Sequence, residues 1–470
     1  MNQDRFRMTR KNHSRRSFLK KAGISAAGIA LLPVAARSAT PEEALTFRDR
    51  GQKKYSANDR IRVALIGTGG MGIGDAQTAL QVSGIELVAA CDLYSGRRLR
   101  AKELFGDHIQ TTADYREILN RSDVDAIINA TTDHWHEKIN IDAMNAGKHV
   151  YCEKPMVQKV EEGHRVIDVQ KQTGVVFQVG SQYTSSLLSA KAKELIKEGQ
   201  IGEINFVEAI IDRHSALGAW QYSIPPDASP ETVDWETYQR GVTDLPWDPK
   251  RFFRWRNYRD YGTGQAGDLY VHMLSMLHFI TDSLGPVRAY STGGLRYWKD
   301  GRDVPDIHLG LYDYPEAEQH PAFNLALRTN FVSGDGGQFQ FRIVGSEGDI
   351  TIGWSSLVLR RNVMPEAPGM SIDSFSREIR EAFIAEYQKA YPENPKLQEP
   401  GEFIYRDPDN YKGMRYDHFV NFFDSIRNGT PVVQDAVFGL RAAGPTFAGN
   451  QSYYEQTIVK WDPEEMRTVS

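Results

Sequence analysis

Two cysteines in 470 residues are too few for a disulfide scaffold, so the fold must rest on an ordinary hydrophobic core. Cys91 and Cys152 both fall at the ends of expected strands and read as buried free thiols. Proline, at 21, is sparse and glycine, at 40, follows no repeat, which excludes collagen-like and proline-linker chains. Long apolar runs are also missing: the one continuous stretch, Ala22–Ala36, is too short for a good membrane span. Nor is there basic charge to spare for nucleic acid or an anionic membrane. The total is −5, yet residues 1–39 hold nine Lys/Arg against one acid, so the remainder carries −13. What is left is 40% hydrophobic and 25% charged, a globular composition with length for about two or three domains.

Ser14-Arg15-Arg16-Ser17-Phe18-Leu19-Lys20 resembles the twin-arginine export motif position for position. A basic start precedes it, a weakly hydrophobic stretch follows, and Val34-Ala35-Ala36 or Ala36-Arg37-Ser38 offers small residues for cleavage. A short basic amphipathic helix or polybasic tail is the other reading. The expectation is a signal peptide over 1–39, a polar linker over 40–58, and delivery in the folded state, by the export machinery, to the periplasm. No cysteine follows the apolar stretch, so no lipid anchor is expected.

Ile61–Ile66 is a short apolar, β-branched run of the kind that forms a buried parallel strand. It leads into Gly67-Thr68-Gly69-Gly70-Met71-Gly72, a G-x-G-x-x-G turn, and a helix is expected over Ile73–Val82. In such a turn Gly67 permits the bend, Gly69 lets the backbone approach a pyrophosphate, and Gly72 lets the helix press on the strand. A second strand over Glu86–Cys91 ends at Asp92, 20 residues past Gly72, where an acid accepts from adenosine ribose hydroxyls. A carboxylate there favours NAD over NADP, with Arg97 and Arg98 close enough to leave NADP open. Helices near 97–105, 115–120, 135–146 and 161–173 alternate with strands near 109–111, 125–130, 149–152 and 175–179. That alternation implies a doubly wound parallel sheet over 59–182 with its ligand at the carboxyl ends of the strands, where Asp92, Thr131 and Glu153 fall.

The pattern changes after residue 183. A helix over Ala190–Glu198 precedes a strand over Ile204–Asp212, and 215–262 is an irregular excursion rich in Trp, Tyr, Pro and Arg. Strand-like runs near 287–292, 308–312, 324–331, 337–345 and 349–352 without crossover helices suggest a mainly antiparallel open sheet in an α+β domain over 183–470. Residues 365–412 read as loop, and helices are expected near 416–427 and 436–455, placed to pack back on the first domain.

The sharpest local feature is Gly267-Asp268-Leu269-Tyr270-Val271-His272. On a regular helix Asp268, His272 and Ser275 share one face, where a carboxylate can hold the tautomer of an imidazole working as an acid–base group. A surface ion pair and a metal-binding pair are competing readings; no third ligand is evident, so no metal is expected. Trp220, Trp255, Arg256, Tyr258 and Tyr261 could clamp a sugar, with a packed core as the alternative.

Ala130-Thr131-Thr132-Asp133-His134-Trp135-His136, with Ala146-Gly147-Lys148-His149-Val150 and Glu153-Lys154-Pro155, resembles the Gfo/Idh/MocA oxidoreductase family, as does the glycine turn. The resemblance runs from about residue 60 to near 460. It implies that Gly67, Gly69, Gly70, Met71 and Gly72 hold a pyrophosphate and Asp92 a ribose. It places Thr131, His136, Glu153 and Lys154 on the nicotinamide side. Lys154 and His272 would be catalytic, with Asp268 orienting the histidine, and Tyr183, Trp255, Arg256, Tyr258 and Tyr270 are candidate substrate contacts. Thr132, Tyr270, Ser275 and an inserted region around Trp220–Tyr261 depart from the common pattern; Tyr270 and the insertion bear on substrate identity more than on reaction type, and Ser275 removes one polar contact to substrate.

The resemblance implies hydride transfer between a small carbohydrate and a tightly held nicotinamide. Two further readings stand beside it. One is an NAD-dependent glycosidase or lyase acting by oxidation, elimination and reduction, against which Lys154 weighs, since such relatives carry another residue in the Glu-x-Pro motif. The other is a non-catalytic sugar or nucleotide-binding protein. An exposed face on the second sheet would suit a homo-oligomer.

Overall fold

The computed structural model describes residues 55–56, 59–362, 370–392 and 401–469, so the expectations for the leader and most of the linker lie outside the described residues. The first layer alternates β1 (Ile61–Ile66), α1 (Gly70–Ala79), β2 (Ile85–Cys91), α2 (Ser95–Phe105), β3 (Gln110–Thr112) and α3 (Tyr115–Leu119). It continues with β4 (Ala126–Asn129), α4 (Asp133–Asn145), β5 (His149–Cys152), α5 (Val160–Thr173) and β6 (Phe177–Val179). All pairs are parallel and the order is β3-β2-β1-β4-β5-β6. The order reverses between β1 and β4, the switch point where a ligand crevice opens at the strands' carboxyl ends. β1 and β4 are buried along nearly their whole length, as a sheet covered by helices on both faces requires.

After α6 (Leu187–Lys197) comes β7 (Ile204–Asp212), then two one-turn helices, α7 (Trp235–Gln239) and α8 (Pro249–Phe253). A π-turn over Ala266–Tyr270 opens directly into α9 (Val271–Thr281). The strands β8 (Arg288–Gly294), β9 (Ile307–Tyr314), β10 (Phe323–Asn330), β11 (Gln338–Gly345), β12 (Gly348–Ile352) and β13 (Ser356–Arg361) follow. The described chain closes with α10 (Arg377–Ala390), β14 (Gly401–Arg406), α11 (Met414–Asn428), α12 (Ala436–Glu455), β15 (Val459–Asp462) and β16 (Arg467–Val469). The ten-stranded sheet runs β14-β13-β12-β11-β7-β10-β9-β8-β15-β16 and is antiparallel except at β7–β10. α11 returns to the first domain, where Phe419, Phe422 and Phe423 join the core behind β1 and β2.

Four expectations need correction. The helix after the glycine turn starts at Gly70 rather than Ile73 and ends at Ala79, because its first turn tolerates glycines whose N–H groups face out of the helix. Residues 365–412 include α10 and β14: Ile379, Phe383 and Tyr387 recur at helical spacing, yet no residue of α10 is buried, so a core-seeking pattern missed it. The irregular 215–262 excursion takes the packed-core alternative rather than a sugar clamp at most positions, with Tyr94, Val233, Trp235, Tyr238, Phe252, Phe253, Tyr258 and Tyr261 forming an aromatic cluster of their own. The strands β15 and β16 were not expected; they are short, β15 pairing with β8 and β16 with β15. Cys91 and Cys152 are buried and free.

Candidate active site

At the carboxyl ends of β1, β2 and β4 the backbone closes tightly on itself. Gly67 has φ +90°, and a β-carbon there would stand 2.5 Å from the Ala130 carbonyl oxygen; one on Gly72 would stand 2.0 Å from the Gly67 oxygen. Only glycine fits either place, which leaves the first turn of α1 open to an anion. Asp92 is fixed by two backbone donors: Thr68 N–H to Oδ2 and Tyr94 N–H to Oδ1, both 2.9 Å. Arg97 stands 3.6 Å from the same carboxylate, and its guanidinium lies over Phe252 and Phe253. Across the crevice, Thr131 Oγ1 donates to Asn129 Oδ1 at 2.8 Å. The His136 ring bridges the Pro155 and Thr131 carbonyls at 2.6 and 3.2 Å, and burial pushes its pKa down to about 4.

The segment between Tyr222 and Arg256 covers this crevice and is fastened on both sides. On the β2 side Tyr94 and Val233 form an antiparallel bridge, Ser95 N donates to Thr232 O at 2.9 Å, and Tyr94 Oη donates to Asp227 at 2.6 Å. On the α4 side the Trp135 indole N–H donates to the Tyr238 carbonyl at 3.0 Å. A cavity of about 720 Å³ remains beneath the cover. Gly67, Gly69, Gly70, Met71, Asp92, Thr131, His136, Glu153 and Lys154 line it from below, and Tyr222, Tyr238, Trp255 and Arg256 from above. Gly72 is the one predicted cofactor contact off this wall; it shapes the turn from behind. The size suits an extended small molecule. The glycine cradle that a β-carbon would fill, the fixed acid 20 residues on and the open helix start fit an NAD-type dinucleotide.

At the far end Lys154 Nζ donates to Asp268 Oδ1 at 2.8 Å and to the Asp268 carbonyl at 2.9 Å, and Arg256 Nε donates to the same Oδ1 at 3.0 Å. Burial alone would raise the Asp268 carboxyl, but the Lys154 ammonium and Arg256 guanidinium outweigh it and hold the group well below the carboxylate range. His272 follows one turn on. Burial first, then the Lys154 charge, keeps its imidazole neutral far below the usual histidine range. Its Nδ1 is buried with no hydrogen-bond partner among the described residues, and Tyr183 meets the ring edge-on at 5.3 Å. Neither Asp268 nor His272 lines the cavity; Asp268 reaches it through Lys154 and Arg256.

The expected Asp268–His272 hydrogen bond is absent, because the π-turn disturbs the four-residue stacking and two cations take the carboxylate instead. Two candidate substrate contacts are core residues. Tyr258 lies in the aromatic cluster under Arg251, and Tyr270 is fully buried with its hydroxyl donating to the His308 carbonyl at 2.6 Å. Trp220 and Tyr261 are likewise buried. Ser275 turns back onto the Val271 carbonyl.

Two acids escaped the sequence reading. Asp133, first residue of α4, accepts from Thr263 N and Oγ1 at 3.0 and 2.7 Å; burial, then the nearby Asp268 charge, raises it to about 7. Asp75, on α1, is wholly buried with Arg415 at 3.8 Å, and burial followed by Glu153 drives it well above its ordinary range. Its spacing three residues past Gly72 was visible, but nothing in the sequence marked it as buried. No cluster of potential metal ligands occurs among the described residues.

Known proteins extend the comparison. The model of the oxidoreductase family with an NAD-binding Rossmann fold matches residues 61–181, and that of its C-terminal alpha/beta domain matches 193–460. An alpha-N-acetylgalactosaminidase of Shewanella oneidensis is 28% identical over 339 residues, covering 69% of this chain and 65% of that protein. The glycosyl hydrolase family 109 protein of Shewanella pealeana is 25% identical, over 68% of this chain and 65% of its own length. The chain thus matches just under two thirds of these curated relatives. Inositol 2-dehydrogenase of Salmonella paratyphi B is 29% identical over 40% of this chain and 54% of its own. Among solved structures, levoglucosan dehydrogenase with NADH and L-sorbose superposes with TM-score 0.63 at 19% identity, covering 86% of this chain and 99% of that one. With both halves matched in sequence and the six-stranded crevice and its glycine cradle in place, the chain belongs to the Gfo/Idh/MocA oxidoreductase family.

Proposed function

We propose that the chain moves hydride between a secondary hydroxyl of a sugar or glycoside and a tightly held nicotinamide coenzyme, NAD in preference to NADP. One observation carries this reading: the Lys154–Asp268–Arg256 knot closes the end of the cavity opposite the glycine turn, with a neutral imidazole behind it. The coenzyme, when bound, supplies the hydride acceptor. Lys154 spends N–H groups on the Asp268 carboxylate and carbonyl and keeps one for the substrate oxygen. Its fixed positive charge stabilises the developing alkoxide. The hydroxyl proton leaves by way of Lys154, which faces the cavity, toward the uncharged His272 behind it, while hydride leaves the same carbon and a carbonyl remains. Asp268 is a positioning residue acting through Lys154.

The test is direct. Purified protein, acid-denatured, should release about one NAD(H) per chain, and a panel of glycosides should yield a keto-sugar. Cofactor found only after external addition would remove tight holding; no reduced coenzyme with any sugar would remove the reaction. The Shewanella relatives favour a second reading, redox-assisted glycosidase or lyase chemistry, in which the same residues serve and an aryl glycoside releases its aglycone. Residues 1–39 support export in the folded state to the periplasm, where no coenzyme pool exists to replace a lost cofactor; a reporter fused after residue 39 would test it. The exposed Tyr290, Leu309 and Leu311 support pairing of two chains through the second sheet, to be read by sedimentation.

A further inference from the structure

Asp75, in the second turn of α1, carries a buried carboxyl for which the fold supplies no donor. Both of its oxygens are shut off from water, and no N–H or O–H group among the described residues reaches either one. Arg415, from the first turn of α11, brings its Nε to 3.8 Å of Oδ1, close enough for charge but too far for a hydrogen bond. The group within hydrogen-bonding reach is a second acid, the Glu153 carboxyl. Glu153 has a fixed place of its own. Its Oε2 accepts from the Lys154 backbone N–H at 3.3 Å. A β-carbon on Gly180, just past β6, would stand 2.7 Å from its Oε1, so the backbone there is left bare to admit it. From that place Glu153 lines the cavity beside Lys154.

Two buried carboxylates in contact, with no donor between them, repel each other and leave acceptors unmet. One proton held between them removes both penalties: one carboxyl becomes the donor the other lacks, and two negative charges become one. We propose that Asp75 and Glu153 share one proton, and that Asp75 is the positioning residue which, through that bond, holds Glu153 beside Lys154 at the cavity wall. The surroundings agree. Lys154, Arg415 and Arg256 are the cations that act on Glu153, Arg415 and Lys154 act on Asp75, and the buried Tyr151 phenol lies beside both acids. Burial raises both carboxyls above their ordinary ranges, Glu153 adds to the rise at Asp75, and the cations offset it only in part. The two acids therefore titrate as a pair, in two steps that belong to both. The positioning role rests on the hydride-transfer reading above; the shared proton does not.

The test uses the full-length protein as purified and three variants, D75N, D75L and E153Q. Infrared difference spectra of wild type minus D75N at neutral pH should show the carbonyl stretch of a protonated carboxylic acid, displaced in heavy water. E153Q should move that band or remove it. A difference spectrum without the band, or a band that E153Q leaves in place, overturns the shared proton. Single-turnover coenzyme reduction by a sugar reads the positioning role. D75L fills the space with no donor and should slow the step at least about tenfold, whereas D75N, whose amide N–H donates to Glu153, should stay within about threefold of wild type. Wild-type rates in D75L, or a loss in D75N as large as that in D75L, overturn the role. Should D75L not fold, D75N decides alone, and a loss of about tenfold or more overturns it. If no sugar reduces the coenzyme of wild type, the hydride-transfer reading fails and the positioning role with it, while the infrared band still decides the shared proton.

Discussion

Lys154 and Asp268 are 114 positions apart in sequence and 2.8 Å apart in space, with side chains 5% and 7% exposed. Arg256, 19% exposed, shares the same carboxylate oxygen. Removing Asp268 as Ala strands two cations in a nearly dry site, and breaking such a pair costs about 3–5 kcal/mol. Urea unfolding of D268A should show that loss. The double variant K154M/D268A should recover part of it, and strict additivity of the two single changes would sink the pairing.

His272 as Ala should lower turnover by about 10²–10⁴-fold, the worth of a positioned base, with the bound coenzyme retained. Single-turnover absorbance at the nicotinamide band reads it. Wild-type rates in H272A would remove the residue from the reaction.

Gly72 as Ala puts a β-carbon 2.0 Å from backbone, which no side-chain shift relieves. The turn must open, and the purified variant should carry less than about a tenth of the wild-type coenzyme. Full occupancy measured by the 260/280 nm ratio would show that the cradle is not where the pyrophosphate lies.

Asp92 holds Thr68 N–H and Tyr94 N–H with its two oxygens and repels a ribose phosphate. In D92S the preference for NAD over NADP should fall at least about tenfold, since one charge repulsion and one bidentate acceptor are both lost. Fluorescence titration of apoprotein with each nucleotide measures the ratio.

Acid should destabilise the fold through its histidines. Burial lowers His134, His136, His308 and His418 to about 4 and His278 to about 3. An unfolded chain protonates each near pH 6.5, so their contribution is complete above that value and is lost as pH falls toward 4. Asp133, raised to about 7, and Asp75 and Glu153, also raised by burial, run the other way, stabilising as pH falls. Over pH 6.5–4, His418→Gln, whose ring does not line the cavity, should reduce the slope of unfolding free energy by about 1.4 kcal/mol per pH unit. An unchanged slope would mean that His418 titrates alike in both states.

The first domain was legible because its information is local. Ile61–Ile66, the glycines at 67, 69 and 72, and Asp92 report a strand, a turn and a ribose acid within one βαβ unit, and a parallel sheet buried on both faces leaves continuous apolar runs. The alternation of β8 to β12 was legible for the same reason. What contacts decided, the sequence could not carry. Asp268 has the spacing to serve His272, but a π-turn and two cations from distant segments claim it. Tyr258 and Tyr270 look like sugar contacts until neighbours close over them, and Asp75 and Asp133 look like surface acids until they are buried. Burial and pairing across a hundred residues are set by how the layers meet, so composition and periodicity fixed the elements while the packed tertiary structure assigned each charge its partner.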